Sequence, residues 1–131
     1  PRPAGQAQVL AAPVPPEPDA SLAATRAWAL ERLDAPLTLA DLAAHARVST
    51  RTLTRRFQAE TGSSPLQWLL HQRIGRAREL LETTALPMDQ VAHRSGLGGA
   101  DSLRWHLVRR VGLTPSAYRA AYGRAKTPSA S

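Results

Sequence analysis

The chain has 131 residues, 43% of them hydrophobic, and seventeen basic against ten acidic side chains give a net charge of +7. That length suits one compact domain with loose ends, and the apolar content argues against wholesale disorder. No run approaches the ~18 apolar residues of a membrane span, no secretory leader opens the chain, and the lack of cysteine excludes a disulfide framework or thiolate zinc site.

Residues 1–18 hold six of the eleven prolines without periodicity and read as a linker. A chain opening Pro1-Arg2-Pro3 is expected to be a piece of a longer protein. A first helix is expected from Ala20 to Leu33, with Leu22, Ala29 and Leu33 on one face. The second starts at Thr38, where Thr38-x-x-Asp41 has the form of a capping box and Leu37 and Leu42 are spaced as a hydrophobic staple. Ser49 caps a third helix reaching Glu60, with Leu53 and Phe57 inward and Thr61-Gly62 as its stop. Ser64, Pro65 and Gln67 begin a fourth, and Leu66, Leu69, Leu70, Ile74, Ala77 and Leu81 extend one apolar stripe to Thr83. A fifth helix spans Pro87 to Ser95, a sixth Ala100 to Val111, and a last opens at Thr114-Pro115. Thr127 to Ser131 read as part of a tail covering 125–131. The expected fold class is all-α, with about seven helices in a domain over 19–124.

The chain repeats itself. Leu53, Phe57, Gly62, Pro65 and Trp68 recur fifty positions later as Leu103, Leu107, Gly112, Pro115 and Tyr118. Leu39, Leu42, Ala43 and Val48 recur at forty-nine as Met88, Val91, Ala92 and Leu97, so one residue is inserted in the Gly98-Gly99 stretch. Short helix, tight turn and longer helix make a helix-turn-helix unit, at 38–61 and again at 87–112, joined by the helix at 65–83. Small Ala43 and Ala92 allow close helix crossing. Val48 and Leu97 plug the two corners. Gly96 suits a positive-φ turn; its counterpart is Arg47, which implies either strain of about 1 kcal/mol or a different turn.

Charge follows the repeat. Four arginines and no acid lie between Arg47 and Arg56, and no acid follows Asp101. Such clusters favour a polyanionic partner, nucleic acid foremost. The core positions of the third and sixth helices direct Arg51, Thr54 and Arg55, and then Asp101, Arg104 and Trp105, outward. Arg51 and Arg55 suit guanine O6 and N7, Asp101 a cytosine N4, and Trp105 a thymine methyl. Arg55 also fits a phosphate contact, Trp105 a core position, and Asp101 a helix cap. Arg56, Arg109 and Arg110 lie at the flank as phosphate candidates. Thr50 and Gly99 are expected phosphate contacts too, and backbone N–H groups at the helix starts Leu39 and Met88 also suit phosphates. The fourth helix, roughly 28 Å long at 1.5 Å per residue, approaches the ~34 Å between successive major-groove segments.

Leu39-x-x-Leu42-Ala43, Ser49-x-x-x-Leu53-x-x-x-Phe57 and Thr61-Gly62-x-x-Pro65 carry a family resemblance. So do Arg73-x-x-x-Ala77-x-x-Leu80-Leu81, Val91-Ala92-x-x-x-Gly96 and Leu103-x-x-x-Leu107-x-x-x-x-Gly112-x-x-Pro115-x-x-Tyr118-Arg119. Over residues 20–124 the chain resembles the AraC/XylS family DNA-binding domain. The resemblance implies sequence-specific binding of double-stranded DNA and a cytoplasmic, nucleoid-associated protein that activates transcription through RNA polymerase. It needs no cofactor or metal. Its base readers fall on Arg51, Thr54, Arg55, Asp101, Arg104 and Trp105. Three positions depart from the pattern: Leu107 replaces the usual Phe, Arg47 the turn glycine, and Pro87 a Ser/Thr-like cap. Gly5-Gln6-Ala7-Gln8, with the proline-rich stretch after it, resembles the junction behind a class I glutamine amidotransferase-like domain. An upstream sensing domain is therefore expected outside this chain.

Other activities find little support in the sequence. His45, His71, His93 and His106 are scattered, without HExxH or paired ligand spacing. No GxSxG or glycine-rich phosphate loop is present. A helical module docking an acidic protein partner is the rival reading, separable by sequence-dependent affinity for DNA.

Overall fold

A computed structural model describes residues 21–124. The proposed linker at 1–18 and the tail at 125–131 lie outside them. The elements are α1 (Ala23–Leu30), α2 (Leu39–Ala46), α3 (Thr50–Thr61), α4 (Pro65–Thr83), α5 (Met88–Ser95), α6 (Ala100–Val111) and α7 (Pro115–Tyr122). Among the described residues there is no strand, and no helix is long and apolar enough to cross a membrane.

Local chemistry accounts for most helix ends. Thr38 and Asp41 form the reciprocal capping box, Thr38 Oγ1 accepting from the Asp41 N–H and Asp41 from the Thr38 N–H. Ser49, Ser64 and Thr114 each accept an N–H three residues on. Only half of the expected box forms at Ser64: the Gln67 N–H donates to Ser64 Oγ, without the reciprocal bond from the Ser64 N–H to the Gln67 side chain. Pro87 and Gly99 start α5 and α6 without a side-chain cap. The first helix is shorter than its apolar pattern suggests. After Leu30 the chain turns, Arg32 N donating to Ala29 O, and Leu33 is buried from that turn rather than from the helix.

Two cores lie along α4. Its N-terminal half gives Leu69 to a cluster with Leu22, Ala29, Leu33, Leu42, Ala43, Leu53 and Phe57. Its C-terminal half gives Ile74, Ala77, Leu80 and Leu81 to a second cluster with Val91, Ala92, Leu97, Leu103, Leu107 and Tyr118. The repeat seen in the sequence is thus a repeat of packing, with α1 and α4 in equivalent places before each helix-turn-helix unit. Leu107 is fully buried where the first unit has Phe57, and Tyr118 is buried more deeply than its counterpart Trp68. Leu66 departs from the expected stripe: it is half exposed, and Pro65 and Trp68 face the core instead, Trp68 meeting Phe57 edge-on at 5.5 Å.

Arginines tie each unit to the segment before it. Arg73 of α4 donates to Leu33 O at 2.8 Å and Ala35 O at 2.6 Å. Arg119 of α7 donates to Leu81 O at 3.3 Å and Leu86 O at 2.8 Å. Leu81 O belongs to the last turn of α4, and the other three carbonyls lie in the connections after α1 and α4, where such groups need partners. Tyr118 donates to the Glu82 carboxylate and accepts from Arg78 Nε at 3.1 Å. Burial first, and then the Glu82 bond, pushes the Tyr118 phenol above its usual pKa.

Candidate nucleic-acid interface

Each unit presents its second helix by the same device. In the first turn Arg47 is left-handed at φ 59°, its N–H closing on Ala43 O and Ala44 O. Its counterpart Gly96 is left-handed at φ 84°, closing on Ala92 O and His93 O. The two turns therefore share one geometry, and Arg47 carries the strain that glycine avoids. Glycine at 96 answers a second demand. A Cβ there would lie 1.8 Å from Leu33 O and 2.6 Å from Arg73 Nε. The second turn thus packs directly against the turn that follows α1, which fixes the two units relative to each other.

Along α3, Leu53 and Phe57 are fully buried while Arg51, Thr54 and Arg55 are exposed. Thr54 Oγ1 donates back to Thr50 O at 2.8 Å. On α6, Leu103 and Leu107 are fully buried while Asp101, Arg104 and Trp105 are exposed. Trp105 is 58% accessible, so its place is the surface and not the core. The Arg109 guanidinium lies over its ring at 5.2 Å, and the His106 ring meets it edge-on at 5.0 Å. Burial, and then the charge of Arg110, holds the His106 imidazole below its usual pKa, so it stays neutral at pH 7. The α6 start has no side-chain cap, so Asp101 is not used there as a helix cap.

Six expected base-facing residues thus occupy matching outward positions on two equivalent helices. Among the expected phosphate contacts, Thr50, Gly99, Arg109 and Arg110 are exposed. Arg56 is a correction: it is 8% exposed. It stands three residues after Leu53, on the inward sector, and that spacing already pointed away from the flank. Glu60, one turn on, was not singled out in the sequence. It accepts from the Leu22 N–H and pairs with Arg26 at 2.5 Å, holding α1 against α3. No group of three or more potential metal ligands occurs among the described residues.

Residues 42–121 match a family model described as a helix-turn-helix domain. The DNA-binding domain of AdpA, a global transcriptional factor crystallised with a target DNA, is 50% identical, with a TM-score of 0.74 over 77% of this chain and 91% of that one. The chain belongs to the AraC-type helix-turn-helix family. An AraC-type regulator from Chromobacterium violaceum aligns at 26% identity with a TM-score of 0.73, covering 80% of this chain and 94% of that chain. The transcriptional regulator Rv1931c of Mycobacterium tuberculosis is 37% identical over 84 residues, 64% of this chain and 32% of that protein. An AraC-like transcription regulator of Streptomyces antibioticus is 41% identical over 83 residues, 63% of this chain and 27% of that protein. The chain spans about a third of the length of these regulators. AraC-type proteins are a class of transcription regulators rather than of enzymes.

Proposed function

We propose that the chain binds duplex DNA sequence-specifically to regulate transcription, with α3 and α6 entering successive major-groove segments. The observation that carries this reading is the pairing of two equivalent, outward-facing helix surfaces, Arg51/Thr54/Arg55 and Asp101/Arg104/Trp105, on one rigid connection. Arg51 and Arg55, one helical turn apart, suit guanine edges in one half-site. Asp101, Arg104 and Trp105 read the other half. Thr50, Gly99, Arg109 and Arg110 meet phosphates and set the register. Arg56, being buried, is not assigned a phosphate.

The two helices differ in their exposed side chains, so the target is an asymmetric site bound by one chain rather than a palindrome bound by two. An upstream sensing domain and contact with RNA polymerase belong to the same reading of the whole protein, as does a cytoplasmic, nucleoid-associated location. Titration of a fluorescent duplex with the 131-residue chain, using a sequence selected from a random pool and a scrambled control, tests the proposal. The selected duplex is expected to bind at least ~10³-fold more tightly at equal salt. Equal affinity for both duplexes would reject it.

A further inference from the structure

Exposed apolar surface on a helix meant for a polyanion is unexpected, and α6 carries two such residues. Trp105 is 58% and Val108 44% exposed, and with Asp101, Arg104 and Arg109 they line one shallow groove of about 480 Å³. Asp101 and Trp105 stand four residues apart, which brings them side by side on the helix, ~5–6 Å between Cβ atoms. A hydrogen-bond acceptor therefore stands next to an apolar face. The equivalent positions on α3 are Arg51 and Arg55, two cations with no apolar partner.

We infer that this groove takes the major-groove edge of a pyrimidine carrying a methyl group on C5, and that Asp101 selects 5-methylcytosine over thymine. The inference rests on the proposed insertion of α6 in the major groove. Cytosine offers the N4 amino donor there and thymine the O4 acceptor with its C5 methyl. In 5-methylcytosine, donor and methyl occupy adjacent ring positions. The Asp101 carboxylate accepts from N4, while the methyl rests on Trp105 and Val108. Thymine supplies the same methyl, but turns its O4 acceptor toward the carboxylate. Arg109 over the Trp105 ring restricts where that ring stands, and Arg104 is placed for the guanine of the pair or its neighbour.

The test uses the 131-residue chain and a duplex selected from a random pool. Cytosine, 5-methylcytosine, thymine and deoxyuridine are placed in turn at each pyrimidine of the half-site lost on Arg104→Ala. At one position the methyl is expected to tighten binding about fourfold, both for 5-methylcytosine over cytosine and for thymine over deoxyuridine, as burial of one methyl group allows. At that position 5-methylcytosine should outrank thymine. Trp105→Ala should remove the methyl effect in both pairs, and Asp101→Ala should remove only the ranking of 5-methylcytosine over thymine. Specific binding with no methyl effect at any pyrimidine of that half overturns the inference while leaving the proposed function standing. A methyl effect with thymine equal to or better than 5-methylcytosine overturns the role given to Asp101. Loss of specific binding altogether would instead count against the insertion of α6, and the inference would fall with it.

Discussion

Single residues decide which side chains stay on the DNA face. Trp105 is large enough to anchor a core, yet it lies outside, two positions from buried Leu103 and Leu107. Trp105→Ala is therefore expected to change stability by no more than about 0.5 kcal/mol, as at most surface sites, while weakening the selected duplex. A core tryptophan would cost about 3–5 kcal/mol, so a melting curve on one variant separates the two. The turn residues make a sharper contrast. Arg47→Gly should stabilise by about 1 kcal/mol or slightly less, because relief of the left-handed backbone outweighs the added freedom of the unfolded chain. Gly96→Ala should destabilise by more than about 2 kcal/mol, since its Cβ would strike the Leu33 carbonyl. Equal effects at 47 and 96 in chemical denaturation would show that the Leu33 contact plays no part.

At the scale of elements, the ion pair between α1 and α3 ties the fold to pH. Partial burial pushes the Glu60 carboxyl up, but the bonds from Arg26 and the Leu22 N–H outweigh it and leave the group below its usual value near 4.5. A carboxylate with a depressed folded-state pKa adds stability above its unfolded value and loses it as pH falls through the folded one. Wild type should therefore exceed Glu60→Gln in melting temperature at pH 7, and the gap should close as the pH drops below about 4. A gap that stayed constant from pH 7 to pH 3 would deny the ionised carboxylate any part. Helix placement was largely legible in the sequence, because caps such as Thr38/Asp41 and stops such as Gly62 are local chemistry. The internal repeat then gave the pairing of units without any long-range information. What the sequence concealed were contacts between distant segments: Arg73 on Leu33 and Ala35, Glu60 on Leu22, and Gly96 against the first unit. Arg56 is spaced as a core residue despite its charge, and it is buried. Leu66 has the phase of the apolar stripe and is nonetheless half exposed, so phase alone does not place it.

For the whole molecule, the central consequence of the fold is that one chain carries two different recognition surfaces in a fixed relation. The 19-residue α4 sets their separation, and the seat of Gly96 on Leu33 resists their relative rotation. Arg73→Ala leaves the Leu33 and Ala35 carbonyls without this donor, at about 1–3 kcal/mol, and should loosen the spacing between half-sites as well as lowering the melting temperature. Binding should also weaken steeply with salt as the phosphate-facing arginines release counterions, with a shallower slope after Arg110→Ala. The most direct test compares the full base-preference profile of wild type with those of Arg55→Ala and Arg104→Ala, each selected from the same random duplex pool. Wild type should select two dissimilar half-sites about one helical turn apart. Arg55→Ala should relax one half alone and Arg104→Ala the other alone, each by about 1–3 kcal/mol of discrimination. A two-fold symmetric site, or two variants relaxing the same half, would contradict two independent readers on one chain.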